Sequence, residues 1–198
     1  MHTVIRNRLE ENYSTIYVTI VSVLLALVLE DLVSIMRGIG DPTLFHWLTA
    51  AFVVHVIFNA WVGYSATASV LRLVPTIWDT LNVFVLSLAH FSLNSAIGER
   101  PVVFFYTAAC YSAVGGVVTG YNAWRAAQDP VIGLQARRFH PVVLINVAGA
   151  VAFAVAGLST LADVLGSTLQ TVVTALSLPF ASLWLWAFFR AWKASIHA

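Results

Sequence analysis

Residues 8–31 read RLEENYSTIYVTIVSVLLALVLED, and this stretch decides the class of the protein. Its apolar run is long enough for a helix that crosses a bilayer, which needs about 20 mainly apolar residues. The same run carries several hydroxyl side chains and ends in two adjacent carboxylates, Glu30 and Asp31. The stretch therefore predicts a membrane helix, and it raises the question of why such a helix keeps polar side chains.

The composition of the whole chain indicates a polytopic membrane protein. Of its 198 residues, 60% are hydrophobic and only 10% are charged, whereas a soluble domain usually has about 25% charged residues. The net charge of +1 provides no basic arm for nucleic acid. The first apolar run is too long for the core of a signal peptide and lacks a cleavage site of small residues, so we expect it to remain as a spanning helix.

Six apolar segments are long enough to span a bilayer, and they predict an all-α fold with a single six-helix transmembrane domain over residues 1–198. The predicted helices cover residues 13–36, 44–70, 76–97, 101–124, 141–163 and 167–190. The breaks between them carry turn residues or charges, as in RGIGDPT at 37–43, RLVP at 72–75, GERP at 98–101 and the polar segment 125–140. Because most breaks are short, helices that follow each other in sequence are expected to pack antiparallel.

The distribution of Lys and Arg favours one orientation in the membrane. Only Arg37 and Arg100 lie on one side, whereas eight basic residues lie on the other: Arg6, Arg8, Arg72, Arg125, Arg137, Arg138, Arg190 and Lys193. Since basic loops stay on the cytoplasmic side, we expect both termini to be cytoplasmic and the protein to lie in the inner (plasma) membrane. The opposite side is mildly acidic, either because acids attract cations at a pore mouth or because loops simply carry charge.

The first helix has two neighbouring stripes when it is drawn at about 100° per residue. One stripe is small or polar and contains Thr15, Thr19, Ser22, Ala26 and Glu30. The other is apolar and contains Ile16, Ile20, Val23 and Leu27. A hydroxyl row suits a water-filled path, and an apolar ring beside it suits a constriction that closes by dewetting. The alternative is that the hydroxyls bond carbonyls of their own helix and pack against a neighbour.

Polar and ionisable side chains also occur at membrane depth in the second and third helices. They are His55, Asn59, Asp79, Asn82, Ser87, His90 and Asn94. Such groups are costly in lipid and usually face the interior of a bundle or a cavity. They are compatible with a pore or proton role, and equally with a neutral His55 that bonds Asn59, Asp79 or a carbonyl group.

The fifth helix is rich in small residues, as NVAGAVAFAVAGLS at 146–159 shows. Small side chains allow two helix backbones to approach closely in a membrane. This segment therefore predicts tight packing against a neighbouring helix, and it carries no chemical signal.

The first two helices resemble the transmembrane protein 175 family, which contains lysosomal and bacterial potassium channels with six helices per unit. In that family the first helix opens with an Arg, three residues and Phe-Ser-Asp, and here Tyr13, Ser14 and Thr15 follow Arg8 at that place. Thr19 and Ile20 fall where the family has a pore-facing hydroxyl and a hydrophobic gate. Trp61 matches a Trp of the family's second helix.

The chain also departs from the family pattern. Arg8 precedes Tyr13 by one residue too many, and Thr15 replaces the family's Asp. Val23 stands where a pore-lining Thr is often found, and Gly63 and Tyr64 stand in the place of histidines. Because the family's Arg and Asp tie the first helix to its neighbours, these departures put the packing of that helix in doubt.

The resemblance implies a homotetramer in which the first helix lines a central, potassium-permeable cation pathway. The residues expected to form this pathway are Thr15, Thr19, Ile20, Ser22 and Val23, with Ile20 as the gate and Glu30 and Asp31 at the outer mouth. The expected partners are the lipid bilayer, monovalent cations and further copies of the chain. The alternatives are a non-conducting membrane subunit or scaffold, and a small proton-coupled transporter that uses His55, Asp79 and His90.

Motifs of known enzyme classes do not occur in the sequence. It contains no HExxH, P-loop, GxSxG or CxxC pattern, and each of these places reactive groups at a spacing that its chemistry requires. We therefore expect no enzymatic activity, no bound metal and no cofactor.

Overall fold

Six long helices form the fold of the computed structural model, which describes residues 2–71, 77–128 and 137–196. The helices are α1 (His2–Gly38), α2 (Leu44–Leu71), α3 (Ile77–Ser95), α4 (Pro101–Ala127), α5 (His140–Leu161) and α6 (Ser167–Ile196). Each contains a segment long and apolar enough to cross a membrane, and the described residues form no strand. The predicted all-α fold with six spanning helices is confirmed.

Turn residues set several of the helix boundaries, close to the predicted positions. Pro101 lies in the first turn of α4, where its missing N–H group leaves no hydrogen bond unmade. α5 ends at Leu161, and Asp163 then adopts a positive φ of 54°, which reverses the chain toward α6. The predicted break at 72–75 and residues 129–136 of the predicted polar segment lie outside the described residues.

The helices pack in an order that leaves α1 at one edge. α4 packs most extensively against α5, α2 lies between α1 and α6, and α3 contacts α1 and α4. The core contains Phe104 and Phe105, which are fully buried, and their rings meet Phe45, Phe52 and Phe153 edge-on. α1 makes its main contacts with α2 and α3. The predicted orientation, with both termini in the cytoplasm, remains a prediction.

Candidate functional site

α1 buries one face and exposes the opposite one. The buried side chains recur every three or four residues and are Tyr17, Val21, Leu25, Val28 and Leu32. The exposed side chains include the predicted apolar stripe and most of the predicted polar one, namely Thr15, Ile16, Thr19, Ile20, Val23, Ala26, Leu27 and Glu30, whereas Ser22 of the polar stripe is half-buried. The apolar stripe and the rest of the polar stripe therefore face away from the chain's own core.

The hydroxyl groups of α1 bond to their own helix. Thr19 Oγ1 donates to the carbonyl oxygen of Thr15 at 2.8 Å, and Ser22 Oγ donates to that of Val18 at 2.8 Å. Ser22 is half-buried and also accepts a hydrogen bond from Trp61 Nε1 at 3.2 Å. Because the hydroxyl proton points back into the helix, Thr19 presents acceptor lone pairs to its exposed side.

The two carboxylates at 30 and 31 have different surroundings. Glu30 is exposed on the face of α1 that points away from the chain's core, which we call the outer face of α1. Asp31 is half-buried, and its Oδ2 accepts a hydrogen bond from Asn94 Nδ2 at 2.9 Å. The same amide donates to the carbonyl oxygen of Val28 at 2.8 Å. Asp31 thus joins α1 to α3, and only Glu30 presents its charge freely on the outer face.

Asp79 forms an ion pair with Arg125 of α4. Arg125 Nη1 lies 2.7 Å from both carboxylate oxygens, and both side chains are largely buried. The guanidinium group also lies 5.8 Å from the ring centroid of Tyr121. Sequence reasoning placed Asp79 in the interior but missed Arg125, although antiparallel packing of the third and fourth helices brings both residues to the same end.

His90 is fully buried and is held by two hydrogen bonds. Its Nδ1 lies 2.8 Å from the carbonyl oxygen of Leu86, and its Nε2 lies 3.0 Å from the hydroxyl group of Tyr111. The carbonyl acceptor assigns the proton to Nδ1, so Nε2 accepts the hydroxyl proton of Tyr111. Both ring nitrogens of His90 therefore have partners inside the bundle.

The other predicted polar residues are directed to separate partners. Asn59 Nδ2 donates to the carbonyl oxygen of Ala181 at 3.0 Å. The backbone carbonyl oxygen of Asn82 accepts from the Tyr64 hydroxyl at 3.2 Å, whereas its side-chain Nδ2 is buried without a hydrogen-bond partner among the described residues. His55 Nε2 is buried and has no hydrogen-bond partner in the described part of the chain. The structure therefore does not bring His55, Asp79 and His90 together into one proton-carrying cluster.

A cavity of about 130 Å³ lies between α2, α4, α5 and α6. Three carboxamides line it, those of Asn59, Asn122 and Asn146. Aromatic rings form much of the rest of its wall, among them Phe52, Phe153, Phe180, Trp184 and Phe188. Sequence reasoning missed Asn122 and Asn146, although an amide within an apolar span is itself a signal of an interior polar site.

Comparisons with known proteins assign the chain to no family. No family model, no curated protein and no solved structure matches the chain. The resemblance of the first two helices to the transmembrane protein 175 family therefore remains a prediction from the sequence.

Proposed function

We propose that this integral membrane protein is the subunit of a homo-oligomeric, potassium-permeable cation channel of the plasma (inner) membrane, in which α1 lines the pathway. The single observation that carries the proposal is the outer face of α1. That face combines the hydroxyls of Thr15 and Thr19 with the carboxylate of Glu30, and it is exposed in the single chain. The Thr19 hydroxyl is already satisfied by a carbonyl group of its own helix, but a carboxylate on a face turned permanently toward lipid is costly, so Glu30 favours an aqueous neighbour.

Cyclic symmetry gives this face a physical role. In a closed homo-oligomer each copy presents the same surface to the axis, so the α1 stripes of all copies meet around one path. The peripheral position of α1 allows such an assembly without any rearrangement of the bundle. Thr19 then offers acceptor oxygens to a passing cation, and a ring of Glu30 carboxylates raises the local cation concentration.

The apolar stripe beside the hydroxyls supplies the proposed constriction. Ile20 is 42% exposed and Val23 is 55% exposed on the same side of α1. A ring of such side chains closes a wide polar path by excluding water. Ser22 is half-buried against Trp61, so it lies at the edge of this path and helps to hold α1 on α2.

The two rival functions make different use of the same residues. A non-conducting scaffold would pack the outer face of α1 dry against another protein. A proton-coupled transporter would need exchangeable groups, whereas Asp79 is paired with Arg125 and His90 is held between Leu86 and Tyr111. The ion pair and the locked imidazole favour the channel over the transporter.

Replacement of Ile20 by Asn is expected to raise the basal potassium flux of reconstituted vesicles about tenfold. A polar ring at the constriction retains water, and a barrier lower by about 1.4 kcal/mol accelerates permeation by that factor. The control is Leu176→Asn, which makes the same kind of change at a side chain on α6 that is also exposed. Equal flux in both variants would contradict the gate, and an absence of flux from all folded forms would favour the scaffold.

Replacement of Glu30 by Gln is expected to reduce potassium flux at about 0.01 M salt and to leave it nearly unchanged at about 1 M. The screening length falls from about 30 Å to about 3 Å between these concentrations, so an attractive mouth charge acts only at the lower one. Flux is measured as tracer uptake into vesicles over this range. Glu99→Gln, which alters an exposed acid between α3 and α4, tests whether any acid suffices. An unchanged salt dependence in Glu30→Gln would remove Glu30 from the mouth.

A further inference from the structure

We propose that the cavity between α2, α4, α5 and α6 binds a small neutral molecule that combines an apolar ring with a hydrogen-bond donor. The cavity is partly open, its lining side chains are buried or half-buried, and none of the described ones belongs to α1. The inference therefore goes beyond the proposed channel and does not depend on it. A ligand in this cavity would bind at a site separate from any cation pathway along the outer face of α1.

The wall of the cavity excludes charged ligands. None of the described residues that line it is acidic, basic or a histidine. An ion that moved into such surroundings would lose its hydration and gain no compensating charge. Its transfer free energy would therefore be strongly unfavourable. Aromatic side chains line the wall on α2, α5 and α6, and Trp184 stacks on Phe188 with ring centroids 5.2 Å apart. These rings favour an apolar and preferably aromatic body in the ligand.

The side-chain oxygen of Asn59 indicates that the ligand carries a hydrogen-bond donor. This side chain is only 6% exposed, and its Nδ2 already donates to the carbonyl oxygen of Ala181. Its Oδ1 is buried and has no hydrogen-bond partner among the described residues. A buried acceptor without a partner is unfavourable and uncommon in native proteins. An O–H or N–H group of a bound molecule would satisfy it.

Asn146 provides a second acceptor on α5. Its Nδ2 donates to the carbonyl oxygen of Val142 at 3.1 Å, so its Oδ1 is the atom that remains available. This oxygen lies beside Gly115, where a Cβ atom would approach it to 3.1 Å. The absence of a side chain at Gly115 therefore leaves room for the carboxamide of Asn146. The carboxamide oxygens of Asn59 and Asn146 thus favour a hydrogen-bond donor in the ligand.

The volume of the cavity limits the ligand to one ring with a small substituent. An apolar cavity of about 150 Å³ in another protein holds one benzene molecule, and the cavity here is similar at about 130 Å³. The competing occupant is water, because a cavity of this size with polar groups in its wall also admits water molecules. A direct binding measurement separates these two occupants.

The test is fluorine NMR of three probes with the full chain in lipid nanodiscs, with empty nanodiscs as the reference. The probes are 4-fluorophenol, 4-fluorotoluene and 4-fluorobenzoate, which share one ring and differ in donor and charge. We expect saturable binding of 4-fluorophenol, about tenfold weaker binding of 4-fluorotoluene, and no binding of 4-fluorobenzoate, since one hydrogen bond accounts for about a factor of ten. Absence of saturable binding of 4-fluorophenol to the folded wild-type protein would overturn the proposal in favour of water.

Two variants locate the binding in the cavity. Asn59→Leu is expected to reduce the preference for 4-fluorophenol over 4-fluorotoluene from about tenfold to less than about threefold. Asn82→Leu is the matched control, because its amide nitrogen is also buried without a partner among the described residues but does not line the cavity. Ala123→Phe fills the cavity and is expected to abolish binding of both probes. An unchanged preference in Asn59→Leu, or unchanged binding in Ala123→Phe, would overturn the assignment. The wild-type measurement stays decisive if a variant fails to fold.

Discussion

Asp79→Leu is expected to lower the free energy of unfolding by about 3 kcal/mol, because it removes the carboxylate that forms an ion pair with the largely buried guanidinium group of Arg125. Arg125 Nη1 contacts both carboxylate oxygens at 2.7 Å, and the side chains of Arg125 and Asp79 are only 16% and 13% exposed. An uncompensated charge of this kind in a largely apolar environment is more harmful than the loss of the pair itself. The measurement is denaturant-induced unfolding of the purified protein in micelles.

The double variant Asp79→Leu with Arg125→Leu distinguishes two causes of the lost stability. One is the loss of the attraction within the ion pair, and the other is the burial of the remaining Arg125 charge. We expect it to recover most of the stability lost in Asp79→Leu, since replacement of both members of a buried pair by apolar residues is often neutral. Glu99→Leu, which removes an exposed acid between the same two helices, is expected to change stability by less than about 0.5 kcal/mol. If Asp79→Leu proved as mild as Glu99→Leu, the pair would have to be exposed to water.

The number of helices and most of their limits could be predicted from the sequence because each spanning helix satisfies its own backbone, although α1 begins at His2 rather than at the predicted residue 13. In lipid, backbone N–H and C=O groups find partners only within the segment, so local apolar length carries the information. The fourth helix was predicted to begin at residue 101, and α4 begins at Pro101. The sixth was predicted over 167–190, and α6 covers Ser167–Ile196.

The inward face of α1 could not be predicted from hydrophobicity. Lipid and protein interior are equally apolar, so an apolar stripe does not reveal which of the two it contacts. Ile16, Ile20, Val23 and Leu27 formed an evident stripe in the sequence, yet they are exposed. The buried stripe from Tyr17 to Leu32 is no more apolar than they are. Only the packing of α2 and α3 on α1 decides between them.

Hydrogen-bond partners on different helices could not be predicted from the sequence either, because they depend on how the helices pack together. Tyr111 as the partner of His90 and Asn94 as the partner of Asp31 follow only from the positions of α1, α3 and α4. The cavity is the clearest example. Asn59, Asn122 and Asn146 come from three helices, and nothing in their spacing along the chain brings them together.

Gly157→Val is expected to destabilise the protein by about 2 kcal/mol, because α5 approaches α4 too closely there for a side chain. A Cβ atom at Gly157 would lie 3.2 Å from Cε1 of Tyr106 and 3.3 Å from two further atoms of the same ring. The two methyl groups of Val extend beyond that position, so either the ring or the helix must move. This is the helix pair with the most extensive contact in the fold, and the small residues of α5 predicted such an approach.

Gly120→Val provides the matched control on α4, since a Cβ atom there would meet no heavy atom within 4 Å. Both substitutions place the same β-branched residue in a helix, so their intrinsic helix preferences are equal and only the packing differs. We expect Gly120→Val to change the free energy of unfolding by less than about 0.5 kcal/mol. Removal of the ring in Tyr106→Ala should then make Gly157→Val milder, because the two positions are coupled through one contact. If Gly157→Val and Gly120→Val had equal effects, the close approach of α4 and α5 at Tyr106 would be excluded.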